Sequence, residues 1–197
     1  MKFNNIEGGQ LIELFNSINF RKKFLEKRKI FFWGPVYDET VQEIVEQLLY
    51  LDITDPGKEI TLFINSPGGS VTSGMSLYDT MQMIKSPVST VCMGMAASMG
   101  AVLLSGGAKG KRYIFPNAEV MIHQPSISGP MQDTAANLII TAEEMQKTKI
   151  RLSQILAQNC GKSLEQILKD SDRDHWMNAK ESVEYGIVDN LLEKLDF

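Results

Sequence analysis

The sequence contains few of the residues that build disulfide scaffolds and metal centres. Its 197 residues include only two cysteines, Cys92 and Cys160, and only two histidines. The cysteines lie far apart, and no group of cysteine, histidine and acidic residues has the spacing of metal ligands. We therefore predict no bound metal and two buried thiols in a reducing compartment, with a disulfide between them as the alternative.

An excess of positive charge is also missing. The net charge is -4 and no basic stripe stands out, so the sequence does not favour a nucleic-acid partner. The basic cluster from Arg21 to Arg28 is interpreted as the solvated end of a helix over about residues 10–28. The N-terminal residues show no apolar run of the signal-peptide type. We expect a cytoplasmic protein of the bacterial type, with an organelle as the alternative.

Long apolar runs of the membrane type are absent too. The uncharged stretch from Ser86 to Ala108 has the length needed to cross a bilayer. It contains Pro87 and four glycines, however, and much of the remainder is serine, threonine and alanine. A buried strand, turn and helix explain this composition better than a membrane helix, which is the alternative.

Strands and helices alternate along most of the chain. Thr40 and Glu43 have the pattern of a capping box, which predicts a helix that is capped by Thr40 and follows it. The alternation predicts an α/β fold with a largely parallel sheet, in one domain over residues 1–197. The predicted strands are Lys29–Gly34, Ile60–Asn65, Val88–Met93, Lys111–Phe115 and Glu119–His123.

The longest predicted helix covers about Asp133 to Asn159 and ends at Gly161. At 1.5 Å per residue it would be about 40 Å long, which exceeds the core of a domain of this size. Its apolar residues spread around more than one face, which requires more than one neighbour. We infer that it projects and packs against another subunit; the alternative is a helix lying across its own sheet.

The serine in the stretch Gly94 to Gly100 is a candidate nucleophile. Ser98 follows a β-like run and precedes the helix-compatible run Ala101 to Leu104, so we expect it at a sharp strand-to-helix turn. The first N–H groups of a helix have no intrahelical partner and can meet a developing oxyanion. The alternative is a glycine- and alanine-rich packing turn with an incidental serine.

A serine nucleophile needs a base and an acceptor that orients the base. His123 ends a strand, and active-site groups of parallel sheets gather at the carboxyl ends of strands. The alternative for His123 is a histidine bonded to backbone. His175 is placed in a solvent-facing charged loop, Ser171 to Trp176. That loop also holds the two candidate acids, Asp172 and Asp174, which alternatively are surface charges.

Several separated motifs resemble the ClpP family, the proteolytic subunit of the caseinolytic, ATP-dependent protease. They are Ile64–Gly69, Gly94–Gly100, Met121–Pro125 and Glu184–Asp189, and the likeness runs from about residue 30 to 192. The resemblance implies a ClpP/crotonase fold of repeated β-β-α units. It also implies a projecting handle helix, with the handle region at about residues 126–160.

The resemblance assigns roles to five residues of this sequence. It implies a catalytic triad in which Ser98 is the nucleophile, His123 the base and Asp174 the acid. The backbone N–H groups of Gly69 and Met99 would form the oxyanion hole. The implied activity is that of a serine endopeptidase acting in protein quality control.

The family resemblance also implies partners. Two seven-membered rings would stack through their handles into a closed tetradecamer, with Asp172 and Arg173 at an inter-ring ion-pair contact. Unfolded polypeptides would be delivered by an AAA+ unfoldase of the Clp type, which uses the ATP. No cofactor would be bound by this chain, and neither a membrane nor a nucleic acid would be a partner.

Two segments depart from the family pattern. The N-terminus lacks the usual hydrophobic start and pore loop, and the segment from Ser126 to Gln132 is less glycine-rich and slightly longer. Two other functions are alternatives. One is a non-catalytic paralogue that builds a mixed ring, and the other is a crotonase-like acyl-CoA enzyme.

Overall fold

The computed structural model describes residues 20–127 and 132–195 of the chain. The predicted N-terminal helix therefore lies partly outside the described residues, although residues 20–26 are helical. Within the segment from Ser126 to Gln132, residues 128–131 lie outside them as well. The helices and strands in chain order are β1 (Lys29–Trp33), α1 (Asp38–Thr54), β2 (Ile60–Ser66), α2 (Val71–Met83), β3 (Val88–Ala97), α3 (Met99–Ser105), β4 (Arg112–Ile114), β5 (Glu119–Ile122), α4 (Ala135–Cys160), α5 (Leu164–Asp170), β6 (His175–Asn178), α6 (Ala179–Tyr185) and β7 (Asn190–Leu191).

The strands form one sheet around β3. The order β1-β2-β3-β4-β7 is parallel throughout, and β5 also pairs with β3 in parallel. Strand β4 pairs with the first half of β3 and β5 with its last residues, Met95 to Ala97. Of the strands in the described residues, only β6 runs antiparallel, against β5. The prediction of an α/β fold with a largely parallel sheet is therefore confirmed.

A continuous apolar core fixes the sheet in place. Leu62 and Ile64 of β2 are fully buried, and they share one cluster with Leu48 of α1, Leu77 of α2 and Leu103 of α3. Burial of each such side chain contributes about 2 kcal/mol. Strands buried on both faces are typical of a parallel sheet covered by helices, and they form a rigid base for the strand ends.

The stretch from Ser86 to Ala108 forms β3 and α3, as predicted for a buried strand, turn and helix. Strand β3 is longer than predicted, because it continues beyond Met93 as far as Ala97. Within residues 20–127 and 132–195, no helix has both the length and the apolar character needed to cross a membrane.

The predicted cap of α1 is wrong by three residues, because Tyr37 rather than Thr40 precedes the helix. The helix begins at Asp38, and Thr40 lies inside its first turn. The Thr40 hydroxyl oxygen accepts a hydrogen bond from the N–H of Tyr37 at 3.1 Å. Thr40 thus reaches back to the residue that precedes the helix, a role that the capping-box rule gives to the third residue of a helix rather than to its cap.

Local capping sets several other helix ends, including the predicted end at Gly161. Ser163 accepts from the N–H of Gln166 at the start of α5, and Asn178 and Glu181 form a capping box at the start of α6. Gly161 ends α4 and Gly186 ends α6, both in the left-handed conformation that favours glycine.

The C-terminal part of the predicted charged loop is a strand. His175 and Trp176 open β6, where they pair with Ile122 and Met121 of β5. His175 does not simply face solvent, because its half-buried ring lies 5.6 Å from the ring of Tyr185. The short segment has no alternating pattern of its own, and the ladder with β5 decides its conformation.

The long helix α4 extends from the core as predicted for a projecting helix. Its buried residues are Leu152, Ser153, Leu156 and Ala157, all in its C-terminal half. In the first half, the side chain of Ile139 is 62% exposed. The N-terminal half therefore presents apolar surface that the described part of the chain does not cover.

A buried ion pair ties the end of α4 to the sheet. Arg112 Nε donates to Asp189 Oδ2 at 2.9 Å, and Arg112 Nη1 donates to the carbonyl oxygen of Asn159 at 2.9 Å. Burial acts to raise the pKa of the Asp189 carboxyl, but the hydrogen bonds and charge of Arg112 outweigh it. The resulting pKa is lower than the usual value of 3.8.

The variant Asp189→Ala is expected to lose about 3 kcal/mol of unfolding free energy, because Arg112 would be left buried without its carboxylate. Because the folded-state pKa is lowered, this contribution is present above a pH of about 4 and is lost as the pH falls through the folded-state value. Urea unfolding followed by circular dichroism at neutral and acid pH measures both effects. Lys180→Ala, which breaks an exposed pair with Glu184, should cost less than about 0.5 kcal/mol. Equal losses in the two variants would contradict the expectation.

Candidate active site

Ser98 occupies a strained turn between β3 and α3. Its backbone angles are φ 54 and ψ -121, which a non-glycine residue rarely adopts. Its N–H donates to the carbonyl oxygen of Met121 at 2.8 Å, so the turn is bonded to the end of β5. Gly68 packs directly against it, since a Cβ added there would lie 2.6 Å from the Ser98 Cβ. The predicted strand-to-helix turn is confirmed, and its geometry is held from two sides.

The pairing of β5 with β3 places His123 beside Ser98. Ala97 pairs with Met121 in the parallel ladder, so the residues that follow the two strands leave the sheet at the same edge. His123 Nε2 lies 2.8 Å from Ser98 Oγ. The His123 side chain is 24% exposed, so solvent reaches one side of the ring.

The antiparallel pairing of β6 with β5 places Asp174 beside His123. His175 pairs with Ile122, and the residue before His175 therefore lies next to the residue after Ile122. Asp174 Oδ1 is 3.1 Å from His123 Nδ1. An ionised carboxylate only accepts hydrogen bonds, so Nδ1 carries the proton and Nε2 is left to accept from the Ser98 hydroxyl. This is the geometry in which a histidine removes a proton from a serine.

Of the two predicted oxyanion-hole residues, Met99 directly follows Ser98, and Gly69 follows Gly68, which packs against the Ser98 turn. Met99 is the first residue of α3, so its N–H has no intrahelical carbonyl partner. The loop that carries Gly69 is bonded to Val36, since Val36 N–H donates to the Gly68 carbonyl at 2.9 Å and Ser70 N–H donates to the Val36 carbonyl at 2.8 Å. These bonds fix the loop against Val36, and Gly68 in the same loop packs against the Ser98 turn.

A small cavity opens beside Ser98, and part of its wall comes from α4. Most of its lining is apolar, and its polar lining residues include Ser98, His123 and Lys149. The sequence did not indicate that α4 contributes to the site. The apolar residues on the buried side of this helix are equally typical of a helix that only packs on a core. The lining residues are Val71, Ser98, Met99, Val102, Ile122, His123, Gln124, Pro125, Lys149, Leu152, Ser153, Leu156 and Ser171.

Asp172 and Arg173 lie near the site but do not join it. Both are exposed, and Arg173 Nη1 lies 3.2 Å from Asp172 Oδ2 within the same chain. The carbonyl oxygen of Asp172 also accepts from Gln124 Nε2 at 2.9 Å. Of the two candidate acids, Asp174 is therefore the one in contact with His123.

The remaining candidate groups are the cysteines and possible metal ligands. Cys92 is buried and Cys160 half-buried, and both are free thiols. Burial raises the pKa of Cys92 to about 12 and that of Cys160 to about 11, so neither forms a thiolate at neutral pH. Among the residues that the structure describes, no group of His, Cys, Asp or Glu side chains is arranged to hold a metal ion.

A comparison with protein families identifies the family of this chain. The family model described as Clp protease matches residues 13–195 of the chain. The match includes the two strand-to-helix turns at Gly68 and Ser98, the end of β5 and the loop that carries Asp174. Since it covers nearly the whole sequence, the chain belongs to the Clp protease family and is a ClpP-type peptidase.

Proposed function

We propose that this chain is a serine endopeptidase subunit that degrades unfolded polypeptides to short peptides inside a closed oligomeric chamber. The observation that carries the proposal is the position of His123 between two partners. Its ring nitrogens lie 2.8 Å from Ser98 Oγ and 3.1 Å from Asp174 Oδ1. The test is whether peptide hydrolysis depends on the Ser98 hydroxyl.

The proposed reaction passes through an acyl-enzyme. His123 Nε2 takes the proton from Ser98 Oγ as this oxygen attacks the carbonyl carbon of the substrate. The N–H groups of Gly69 and Met99 donate to the oxyanion that forms. The imidazolium then gives its proton to the leaving amine, and the peptide bond breaks.

Water completes the proposed cycle. His123 takes a proton from the water molecule, the hydroxide attacks the ester, and Ser98 regains its proton as the peptide acid leaves. Asp174 keeps the ring in the productive tautomer and stabilises the imidazolium. None of these steps requires a cofactor, and ATP would be used by a partner unfoldase of the AAA+ Clp type.

The proposed chamber consists of two stacked seven-membered rings joined by their α4 helices. The exposed side chains of Ile139 and Ile140 support this assembly, since each is more than half exposed on a helix that leaves its own core. Asp172 and Arg173 are proposed to lie at the contact between the rings. A cytoplasmic location and a role in protein quality control accompany this proposal.

Adding charge to the exposed α4 face should separate the proposed rings. The variant Ile139→Asp with Ile140→Asp is expected to halve the particle mass, because carboxylates would replace the apolar contact between two helices. Sedimentation velocity measures the mass. Glu143→Gln, a change at an exposed position on the same helix, is the control and should leave the mass unchanged. An unchanged mass in the double variant would contradict stacking through this face.

A further inference from the structure

The Asp174 carboxylate lies near the surface, although the proposed triad depends on its position. Its side chain is 62% exposed, and within the described ranges His123 is the only residue that bonds to it. An exposed contact of this kind contributes little to fixing a loop. Other contacts must therefore hold the segment from Ser171 to Asp174 in place.

Gln124, which directly follows His123, bonds this segment at two points. Its backbone N–H donates to the Ser171 carbonyl at 2.6 Å, and its side-chain Nε2 donates to the Asp172 carbonyl at 2.9 Å. Ser171 is buried, and its hydroxyl donates to the Ile167 carbonyl of α5 at 2.7 Å. One residue thus joins the chain beside the base to the loop that carries the acid.

Lys149 on α4 sets the orientation of the Gln124 amide. Its Nζ donates to Gln124 Oε1 at 2.9 Å. An ammonium group only donates, so the amide oxygen must face Lys149 and the NH₂ group is left for the Asp172 carbonyl. Lys147 is different, because its side chain is 70% exposed and bonds to Glu144.

We propose that Gln124 and Lys149 are positioning residues of the peptidase. The polar link from α4 through Gln124 to the Asp172 carbonyl holds the Asp174 carboxylate against His123 Nδ1. Neither residue takes part in proton transfer. The inference rests on the proposed triad, since it concerns how the acid of that triad is held.

The variant Gln124→Met keeps the side-chain length but removes the side-chain bonds to Asp172 and Lys149. It is expected to lower kcat by about 10- to 100-fold with little change in KM, because a displacement of about 1 Å at a catalytic group has an effect of that size. Gln124→Glu should behave in the same way, since a carboxylate still pairs with Lys149 but cannot donate to the Asp172 carbonyl.

Lys149 is expected to act through the same link. Lys149→Met should lower kcat in the same direction but by less, since the amide retains its bond to Asp172. Lys149→Arg keeps a donor near Gln124 Oε1 and should restore most of the activity. Lys147→Met is the matched control on the same helix and should keep wild-type kcat. Equal losses in the two methionine variants would show a general effect of removing charge from α4 and would overturn the role of Lys149.

A double-mutant cycle with Asp174→Asn separates positioning from general stability. If Gln124 acts through Asp174, Gln124→Met should lower kcat by less than about 2-fold once Asp174 has been replaced. Losses that multiply would overturn the inference and leave the triad intact. If Asp174→Asn alone has no effect, the proposed triad itself fails. If the Gln124→Met variant does not assemble, Lys149→Met combined with Asp174→Asn provides a second cycle that is judged by the same criterion.

Discussion

Replacing Ser98 by alanine is expected to lower kcat for peptide hydrolysis by about 10⁶-fold, to the residual rate that binding and oxyanion stabilisation alone provide. The reason is that, among the residues that the structure describes, Ser98 has the only hydroxyl bonded to a histidine ring nitrogen, with its Oγ 2.8 Å from His123 Nε2. The fold should be retained, because Ser98 is held in its turn by its backbone N–H bond to Met121. Initial rates on a fluorogenic peptide measure the effect.

Covalent labelling provides the matching control for Ser98. A fluorophosphonate should add one label to the wild-type chain at Ser98 and none to the alanine variant. Ser76→Ala, at an exposed serine of α2 whose hydroxyl donates to the Ser73 carbonyl, should keep wild-type activity. Wild-type rates in Ser98→Ala would contradict the proposed nucleophile. An unlabelled, inactive wild-type chain that co-purifies with a second subunit would instead favour a non-catalytic paralogue.

The local geometry of the site could be predicted from the sequence because short-range chemistry decides it. The run from Val88 into Gly94–Gly100 gives a strand and then a turn, so the position of Ser98 followed without knowledge of its neighbours. The ends of α4 and α6 were predictable for the same reason, since Gly161 and Gly186 adopt left-handed backbone angles. In each case, residues close in sequence specify the conformation.

Long-range register could not be predicted in the same way. The strand β6 exists because it pairs with β5, and its residues His175 and Trp176 carry no strand pattern of their own. That ladder is what places Asp174 rather than Asp172 against His123. The ion pair between Arg112 and Asp189 was also missed, since 77 residues separate its partners. Such contacts depend on how elements pack, which a single sequence does not state.

The turn at Ser98 also shows how strain and packing combine. A serine with a positive φ costs about 1–3 kcal/mol of backbone strain and persists only where its surroundings determine it. Here Gly68 lies against the turn on one side, and the Met121 carbonyl binds its N–H on the other. The sequence shows the glycines, but only the structure shows that Gly68 is required because a Cβ would collide with Ser98.

Replacing Asp174 by asparagine is expected to lower kcat by about 10³-fold while KM changes little. An asparagine amide donates to His123 Nδ1, which favours the tautomer with the proton on Nε2. That nitrogen then cannot accept from Ser98 Oγ, although the three side chains remain close together. The loss of kcat should be smaller than is usual when the acid of a triad is replaced by asparagine. The Asp174 side chain is 62% exposed, so water partly screens its charge.

The matched comparison is Asp172→Asn in the same loop. Asp172 holds Gln124 mainly through its backbone carbonyl, at 2.9 Å, which the substitution leaves in place. We expect less than about a 10-fold loss of kcat from Asp172→Asn, measured at a concentration where sedimentation shows the same particle mass as wild type. Since both variants remove one negative charge from one loop, a general electrostatic effect would lower the two rates equally. A larger loss at Asp172 than at Asp174 would contradict the contact between Asp174 and His123 as the basis of catalysis.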